Sequence, residues 1–584
     1  MRRIAIVFAA FLFATAALAA GTGDNSAALP DVGAASATRA MLAKAKSVTA
    51  PHAMVVTPQH LATEIGVDIL KHGGNAVDAA VAAGYALAVV HPCCGNIGGG
   101  GFMVAHLANG KNLFLDFREK APHAATPTMF QDANGNVVAG RNTATWLATG
   151  VPGTVMGLNE ALATYGTIPL AKAMAPAIAL AKNGYVLNDA DARILGLRAK
   201  TFAEEPNAAA IFLNHGRPFK AGERLTQKEL AATLEAIAKG GTDAFYKGAI
   251  AKKIVAASEK NGGILTMKDF AEYTAPWTKP VTCDYRGYEI VSAPPPSSGG
   301  TTVCEILQIV KPYPFRKWGY ASVKVTHYLV EAERYAFADR NTYLGDPAFV
   351  KNPVARLISA QHAAKICAQI HPNKATPSSD VHGSLGAAEG MHTAHYSIVD
   401  RHGNAVGVTY TLNFFFGNGK IAGDTGFFLN DEMDDFTAKP GVPNGYGLVQ
   451  GKVNQVEPGK RPLSSMTPTI VLKNGKLFMV TGSPGGATII STVLESILNT
   501  VDFGMNMQAA VDAPRVHHQW LPDVVFVEPG YLTPETRGPL EKMGYRFIER
   551  SPWGADEAIL RNPKTHMLEG ANDNRRPSGL AAGY

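Results

Sequence analysis

The chain has 584 residues, with 54 Lys and Arg against 48 Asp and Glu, which gives a formal net charge of +6. This small excess over so long a chain predicts neither a nucleic-acid partner nor an anionic membrane surface. Hydrophobic residues make up 46% and charged residues 17%, which is typical of a folded globular protein and excludes a disordered chain.

The amino terminus has the pattern of a secretory signal. Arg2 and Arg3 precede an apolar run that ends in Ala17-Leu18-Ala19, with small residues at the positions that a signal peptidase reads. The run is too short for a membrane anchor, and no later stretch reaches the ~20 apolar residues of a spanning helix. We therefore predict a cleaved signal peptide at residues 1–19. Residues 20–50, rich in small and polar residues, predict a flexible leader.

Strand-like and helical patterns then alternate. Residues 54–57 predict a strand, residues 61–71 a helix that stops at Gly73-Gly74, and residues 78–90 a buried alanine-rich helix. Residues 150–280 have mostly helical spacing. After a polar linker at about 370–391, the pattern changes to strands and hairpins as far as about residue 482.

The five cysteines cannot all pair within one chain, and their spacing fits no zinc motif. Cys93 and Cys94 are adjacent and precede Gly95. We expect them to be small buried residues beside a tight glycine turn, the alternative being a redox-active pair. A chain of this size does not need disulfides for its stability.

The most informative segment is a predicted hairpin. Residues 393–400 and 404–413 alternate with period two around a turn at 401–403. A three-residue loop places Thr393 opposite Thr411, close enough for their hydroxyls to form a hydrogen bond. A loop one residue longer or shorter would turn Thr411 to the other face.

A threonine pair on a strand is usually structural. Here, however, the polar linker leads directly into Thr393, so cleavage before this residue would give it a free α-amine. That amine can act as the base for the neighbouring hydroxyl, which is otherwise a poor nucleophile at neutral pH. The pattern therefore gives the hypothesis that Thr393 is a nucleophile oriented by Thr411.

Further segments have the chemistry to hold one ligand with both charges. Residues 430–436 form a dense acidic turn for an ammonium group, the alternatives being a solvated loop or a calcium site, although the spacing is not that of an EF-hand. Ser464 and Ser465 offer hydroxyls to a carboxylate, although such pairs are common in turns. Arg118 is a suitable carboxylate ligand, although an isolated arginine more often forms a surface ion pair.

Gly485 and Gly486 follow a predicted strand and precede a predicted helix. Backbone N–H groups at such a turn point toward an anion and would stabilise the oxyanion of an acyl transfer. A phosphate loop or a plain helix cap is the alternative. No Gly-x-x-x-x-Gly-Lys-Ser/Thr pattern is present, which disfavours nucleotide binding.

Together these segments resemble the γ-glutamyltranspeptidase family of N-terminal nucleophile hydrolases, in order along almost the whole mature chain. The matching stretches are residues 73–80, 95–102, 116–120, 294–300, 393–400, 409–413, 434–436, 462–466, 482–486, 514–520 and 582–584.

The resemblance implies an α+β fold, a four-layer αββα sandwich made by one chain that cuts itself between His392 and Thr393. The large subunit would be residues 51–392 and the small subunit residues 393–584, and the two would remain together as a heterodimer. Ala394 and the pair Phe414-Phe415 depart from the commoner family pattern, and the phenylalanines are expected to reshape the acceptor side.

The resemblance also implies roles for single residues. Thr393 matches the nucleophile and Thr411 the threonine that supports it, while Tyr446 lies in a segment, residues 436–449, similar to the lid of bacterial members. The positions matching substrate ligands are Arg118, Ser464 and Ser465 for the α-carboxylate, Asn413, Glu432 and Asp435 for the α-amino group, and Gly485 and Gly486 for the oxyanion.

The implied activity is attack of Thr393 on glutathione or another γ-glutamyl compound, with transfer to water, an amino acid or a peptide. Neither a metal nor an organic cofactor is required, and the enzyme would be secreted, in the periplasm. One rival is a related cephalosporin or glutaryl acylase, which should lack the full α-amino and α-carboxylate ligand set. Another is an inactive exported binding protein in which Thr393 stays inside an uncut chain.

Overall fold

The computed structural model describes residues 36–381 and 393–584. The predicted signal peptide, residues 20–35 of the predicted leader, residues 382–391 of the linker and the carbonyl side of the predicted cleavage site, His392, lie outside these ranges. Within the two ranges, every helix is too short or too polar to span a lipid bilayer.

The helices and strands are numbered here in chain order. The helices are α1 Ser36–Lys44, α2 His60–Lys71, α3 Ala76–Val90, α4 Thr154–Tyr165, α5 Leu170–Asn183, α6 Asp189–Gly196, α7 Ala199–Ala203, α8 Pro206–Phe212, α9 Lys228–Tyr246, α10 Ala249–Lys260, α11 Met267–Ala271, α12 Gly299–Val310, α13 Phe315–Trp318, α14 Val323–Tyr343, α15 Val354–Leu357, α16 Ala360–Cys367, α17 Thr488–Val501, α18 Met507–Asp512 and α19 Pro534–Lys542. The strands are β1 Val48–Ala50, β2 Met54–Thr57, β3 Gly100–His106, β4 Asn112–Phe117, β5 Tyr185–Val186, β6 Arg224–Leu225, β7 Trp277–Thr278, β8 Val281–Tyr285, β9 Tyr288–Ser292, β10 Thr393–Val399, β11 Ala405–Thr411, β12 Thr469–Lys473, β13 Lys476–Thr481, β14 Val516–His517, β15 Val525–Val527, β16 Phe547–Glu549, β17 Glu557–Arg561, β18 Leu568–Asn572 and β19 Leu580–Gly583.

Two antiparallel seven-stranded sheets form the centre of the molecule. The first has the strand order β19-β2-β10-β11-β3-β4-β7 and the second β1-β18-β17-β13-β12-β9-β8. One apolar cluster joins helices α2 to α5 to one face of the first sheet. Another joins the opposite face of the first sheet to the second sheet and to helices α12, α14 and α17. The layers therefore follow the order helix, sheet, sheet, helix, which confirms the predicted αββα sandwich.

The alternation of side chains along β10 decides where Thr393 points. Ala394, Tyr396 and Ile398 belong to the cluster packed against the helices, whereas Val399 belongs to the cluster between the sheets. Since successive side chains on a strand point to opposite faces, Thr393 faces the second sheet. The threonine thus lies between the two sheets and not beneath the helices.

Several local predictions are confirmed because their signals are local. The strand at residues 54–57, the helices beginning near residues 61 and 78, the helical region 150–280 and the hairpin at residue 393 all form where the patterns place them. Helix α3 begins at a capping box. The Asn75 side chain accepts a hydrogen bond from the backbone N–H of Asp78, and the Asp78 side chain accepts one from the backbone N–H of Asn75.

The prediction of a flexible leader is wrong for residues 36–50. Residues 36–44 form α1, whose Leu42 is fully buried, and the Thr38 hydroxyl donates to the carbonyl of Gly530 at 2.9 Å. Residues 48–50 form β1, which pairs with β18 at the edge of the second sheet. An edge strand gains backbone partners by such pairing, and the small residues of the leader gave no sign of it.

The prediction of continuous strands from residue 393 to about 482 is wrong in its middle. Between β11 and β12 the described chain forms loops and the short 3₁₀ helices Glu432–Asp435 and Lys452–Asn454. Side chains here satisfy the backbone in place of a ladder: Asn430 accepts from the N–H groups of Gly150 and Glu432 at 2.8 and 3.1 Å.

The structure also contains disulfides that the sequence did not predict. Cys93 and Cys94 are fully buried, as expected, but they are bonded to each other, and Cys283 on β8 is bonded to Cys304 on α12. The second bond joins elements whose proximity arises only from the fold. Cys367 is a free, half-buried thiol.

Two helical glycines offer a matched test of how closely helix α4 packs on the first sheet. A Cβ on Gly157 of α4 would overlap the Phe117 side chain, which directly precedes Arg118, whereas no atom lies within 4 Å of a Cβ on Gly196 of α6. We predict that Gly157→Ala lowers stability by about 1–3 kcal/mol through overpacking. Gly196→Ala should raise it by up to about 1 kcal/mol, because alanine favours helix. Thermal unfolding midpoints of both variants check this, and equal midpoints would contradict the packing described.

Candidate active site

Thr393 begins β10 and lies opposite Thr411 on β11. The register runs without a break from this pair to Val399 opposite Ala405, which confirms the pairing expected from a three-residue loop. The two threonine hydroxyl oxygens are 3.4 Å apart, and the residues are 4% and 2% exposed. The hydroxyl of Thr393 is therefore buried and oriented by one neighbour on the same sheet.

Asn413 turns the chain out of the sheet immediately after this pair. It has a φ of 77°, in the left-handed region that asparagine tolerates better than most residues. Its backbone N–H donates to the Thr411 hydroxyl at 2.8 Å, and its side-chain amide donates to the carbonyl of Asp431 at 3.0 Å. The turn thus fixes the position of the Thr411 hydroxyl and connects it to the acidic segment.

Arg118 lies at the end of β4 and is fully buried. Its guanidinium pairs with one carboxylate oxygen of Glu432 and one of Asp435, and Glu119 lies 3.6 Å away. Both pairing residues lie on one turn of 3₁₀ helix. Burial raises the pKa of Glu432 well above its usual range although Arg118 opposes it, and burial raises the pKa of Glu119 to about 7. For Arg118, burial would lower the pKa, but these carboxylates outweigh it and raise the pKa.

The predicted ammonium ligands Glu432 and Asp435 and the predicted carboxylate ligand Arg118 are therefore paired with one another in one cluster. It borders a cavity of ≈ 20 Å³, about enough for one water molecule. The cavity is lined by Arg118, Thr393, Thr411, Asn413, Glu432, Asp435, Tyr446, Ser464, Ser465, Met466, Gly486 and Ile489. All predicted site residues except Gly485 line it, and Gly485 is the chain neighbour of Gly486. Met466 and Ile489 were not predicted.

The two serines lie in a segment held by the loop before α12. The Ser464 carbonyl accepts from the N–H and the hydroxyl of Ser298 at 2.8 and 2.6 Å. The Ser465 hydroxyl accepts from Arg340 at 3.0 Å, and the same guanidinium donates to the Ser298 hydroxyl at 2.9 Å. The buried Arg340 thus orients Ser465.

The sequence did not indicate Arg340. This arginine lies in the last turn of α14, where nothing nearby in the chain marks it, and only the fold brings it to Ser465. Burial lowers its pKa to about 10, although Asp435 opposes that effect. The guanidinium therefore remains charged at neutral pH and adds positive potential behind the serines.

Gly485 and Gly486 form the turn between β13 and α17, with φ values of 142° and 55° that favour glycine. Their carbonyls accept from the N–H groups of Thr488 and Ile489 as the helix begins. Within residues 36–381 and 393–584, neither glycine N–H donates a hydrogen bond. Gly486 thus brings the backbone at the start of a helix to the cavity containing Thr393, and such a helix start stabilises an anion.

Asp556 holds the strand end that leads into this turn. Its carboxylate accepts from the Thr481 hydroxyl at 2.9 Å and from the Gly482 N–H at 3.2 Å. Burial raises the pKa of Asp556 to about 6. The position of the glycine turn therefore depends on a buried acid that directly precedes β17 and is distant in the sequence.

Tyr446 lines the cavity and belongs to residues 436–449, the segment that is similar to a lid. The Tyr446 ring stacks on Phe414 with centroids 5.1 Å apart, and its hydroxyl donates to the Asn413 carbonyl at 3.0 Å. The Gly445 N–H donates to Asp434 at 3.0 Å, and burial raises the pKa of Asp434 to about 7. The segment is thus fastened to both the hairpin and the acidic turn.

Two clusters in the described residues have metal-ligand chemistry. One is His91 with Cys93 and Cys94, whose sulfurs are joined in a disulfide, and the other is Glu305, Asp339 and His362. In the second cluster the His362 ring nitrogen contacts both carboxylates, at 3.1 and 2.7 Å. None of these residues lines the cavity beside Thr393.

Comparisons with known proteins agree with this geometry. The sequence profile of the family described as Gamma-glutamyltranspeptidase matches residues 62–583. The chain is 53% identical over 546 residues to the glutathione hydrolase proenzyme of Pseudomonas sp. (strain A14), covering 92% of this chain and 95% of that one. It is 50% identical over 543 residues to the glutathione hydrolase proenzyme of Escherichia coli (strain K12), covering 92% and 93%.

A solved structure extends the likeness to the whole fold. The cephalosporin acylase from Bacillus halodurans matches with a TM-score of 0.81 and 29% sequence identity, covering 92% of this chain and 97% of that one. The profile includes every residue that lines the cavity, and the two relatives each cover 92% of the chain. The chain belongs to the gamma-glutamyltranspeptidase family.

Proposed function

We propose that the chain matures by cutting itself before Thr393 and then hydrolyses or transfers γ-glutamyl groups, as a glutathione hydrolase and γ-glutamyltransferase. The observation that carries the proposal is the shared cavity: the Thr393 hydroxyl lies with a buried arginine–carboxylate cluster and with Gly486. A nucleophile beside groups of both charges suits an amide whose acyl part is a zwitterion. The names of the two relatives at 50–53% identity support the same activity.

Maturation begins when the Thr393 hydroxyl attacks the carbonyl carbon of His392. The C–N bond breaks as the C–O bond forms, and the nitrogen takes the hydroxyl proton, which leaves an ester. Water then hydrolyses the ester, which leaves a carboxylate on His392 and restores the hydroxyl of Thr393, whose α-amine became free when the C–N bond broke. This amine becomes the base that removes the proton from the adjacent hydroxyl in each later turnover.

Substrate binding exchanges one set of ion pairs for another. The α-carboxylate of a γ-glutamyl group pairs with Arg118 and accepts hydrogen bonds from the hydroxyls of Ser464 and Ser465. Its α-ammonium pairs with Glu432 and Asp435, which then no longer pair with Arg118. No buried charge is left unpaired in this exchange, and an unpaired charge would cost several kcal/mol. Asn413 supplies an additional amide at the ammonium.

Catalysis then proceeds by acyl transfer. The Thr393 oxygen attacks the γ-carbonyl carbon, and the oxyanion that forms accepts from the N–H groups of Gly485 and Gly486. Collapse of this intermediate breaks the amide bond, the leaving amine takes a proton from the Thr393 ammonium, and a γ-glutamyl ester remains. Water, an amino acid or a peptide attacks the ester and regenerates the hydroxyl. Each oxyanion donor contributes about 3–4 kcal/mol in comparable sites.

An acylase activity is the second candidate, since a cephalosporin acylase shares the fold at 29% identity. A glutaryl side chain keeps the terminal carboxylate but has no α-amino group. Its carboxylate could pair with Arg118, but Glu432 and Asp435 would then be left without a cationic partner. The buried cluster favours γ-glutamyl compounds such as glutathione.

We also propose export to the periplasm. The pattern of Arg2, Arg3 and the following apolar run supports a signal peptide at residues 1–19. The mature form would be a heterodimer of a large subunit ending at His392 and a small subunit beginning at Thr393.

Replacing the nucleophile tests maturation and catalysis together. We predict that Thr393→Ala yields one uncut chain with no γ-glutamyl hydrolysis, since both steps need the hydroxyl. Thr393→Ser, which keeps a hydroxyl, should mature slowly and retain part of the activity. Thr565→Ala, at an exposed turn, is the matched control and should behave as wild type. Intact mass and N-terminal sequencing check the cut. A Thr393→Ala chain that still separates into two pieces would refute the proposal.

Removing one ammonium ligand tests the substrate class. We predict that Asp435→Asn lowers kcat/KM for γ-glutamyl p-nitroanilide by about 10–100-fold, the range for a lost hydrogen bond to a charged group. Glutaryl p-nitroanilide, which has no ammonium, should be hydrolysed slowly by wild type and changed little by the substitution. Asp424→Asn, at an exposed surface ion pair, is the control. Equal losses on both substrates would argue against an ammonium at Asp435.

The lid tyrosine gives a separate prediction. Tyr446→Phe keeps the stacking on Phe414 but removes the hydroxyl that donates to Asn413. We expect KM for γ-glutamyl p-nitroanilide to rise by about 2–10-fold, the range for one neutral hydrogen bond, with little change in kcat. Tyr288→Phe on β9 serves as the control. A fall in kcat at unchanged KM would mean that Tyr446 acts in the chemical step.

A further inference from the structure

A second cavity, of ≈ 550 Å³, lies apart from the one beside Thr393, and the two share no lining residue. Most of its walls come from three separate parts of the chain: α6 with the residue that follows it, the loop at residues 550–554 after β16, and the loop at residues 575–578 before β19. Pro58, His91 and Phe415 close it from the direction of the first sheet. None of the residues to which a catalytic or glutamyl-binding role is assigned lines this cavity.

The lining of this second cavity has charge of one sign. Four arginines line it, Arg193, Arg550, Arg575 and Arg576, and within the described chain no acidic residue does. Arg575 is held in ion pairs with Glu528 and with Asp573. Its charge is therefore matched within the protein, and its role at the wall is structural.

Arg576 differs from its neighbour. In residues 36–381 and 393–584, its guanidinium forms no hydrogen bond and no ion pair, and it lies 5.6 Å from the centroid of the Phe415 ring. Burial lowers its pKa, although Glu557 and Asp573 oppose that effect. A half-buried arginine with unused donors is costly to desolvate, and an anion in the cavity would supply the acceptors that it lacks.

His91, which also lines the cavity, neither adds to nor reduces the positive charge of the arginines. His91 is 4% exposed, and burial together with Arg576 lowers its pKa to about 3, so that the ring is neutral at physiological pH. Arg193 is exposed at the rim and has no ion pair in the described residues. An entering anion would thus meet Arg193 first and Arg576 further in.

The remaining wall is mostly apolar and includes two aromatic residues. The Phe415 ring and the Trp553 ring line it, together with Ile194 and Leu197 of the α6 region. Flat rings beside a guanidinium favour a ligand with an apolar, ring-containing body, because such a body gains contact on the rings while its charge reaches the donors. Small inorganic ions would leave this part of the wall unused.

We propose that this second cavity binds a small organic anion, with a carboxylate, sulfonate or phosphate on Arg576 and an apolar ring against Phe415 and Trp553. The charge and the ring are both required, since the cavity offers donors at one end and aromatic surface at the other. Whether the natural ligand is a carboxylate or a phosphate, the recognising chemistry is the same.

Calorimetric titration of the mature enzyme with three probes tests the proposal. Naphthalene-2-sulfonate has both features, sulfate has only the charge and 2-naphthylmethanol only the ring. We expect naphthalene-2-sulfonate to bind at least about ten-fold more tightly than either, one charged hydrogen-bonded contact being worth that much. Arg576→Gln should weaken it by about ten-fold or more, and Arg576→Lys, which keeps the charge without the planar fork, by less.

Controls separate this site from the catalytic one. Arg401→Gln, at the exposed hairpin turn, makes the same change of charge and should bind the probe as wild type does. Saturating L-glutamate should not displace the probe, and Arg576→Gln should hydrolyse γ-glutamyl p-nitroanilide at nearly the wild-type rate. Absence of probe binding by wild type, unchanged binding by Arg576→Gln, equal binding of the neutral alcohol, or displacement by glutamate would each overturn the proposal. The wild-type measurements decide it even if a variant folds poorly.

Discussion

The pairing of β10 with β11 is the constraint on which the rest of the site depends. Its register is set at the turn, where Asp400 accepts from the N–H groups of His402 and Asn404 at 2.8 and 3.0 Å. A slip of one residue would turn Thr393 toward the helices and away from Thr411. The neighbouring strand β3 enforces the same register, since a Cβ on Gly99 or Gly101 would overlap the backbone of β11.

The second requirement is that charge buried beside Thr393 stays paired. Arg118, Glu432 and Asp435 meet far from water, where an unpaired charge costs several kcal/mol, so they hold one another until a ligand with both charges replaces them. A ligand with only one charge cannot replace both partners. The selectivity proposed for γ-glutamyl groups follows from this requirement. The carboxylate of the zwitterion pairs with Arg118, and its ammonium pairs with the two carboxylates that Arg118 no longer binds.

The sequence predicted what is local and missed what is not. The hairpin at Thr393 has a period and a turn that are complete within about twenty residues, so its register was accessible. Residue chemistry also indicated Arg118 and the acidic turn, but 314 positions separate Arg118 from Glu432, and no pattern shows that they pair directly. Arg340, the Cys283–Cys304 bond and the pairing of β1 depend likewise on contacts between distant segments. The prediction of strands after β11 was wrong because side chains, rather than a neighbouring strand, form the hydrogen bonds of the backbone there.

The order of strands in the first sheet explains how a cut at its centre could leave the fold intact. Strands β10 and β11 follow the proposed cleavage site, yet they lie between β2 and β3, which precede it. The two fragments therefore share backbone hydrogen bonds on both sides of the hairpin, and β1 with β18 and β19 with β2 add more. Because Thr393 pairs with Thr411 on β11, and β2 pairs with β10 from Ser397 to Val399, the amine released at Thr393 would stay fixed next to its own hydroxyl. An edge strand would fray at a new terminus, whereas a central strand provides the rigid position that an amine acting as a base requires.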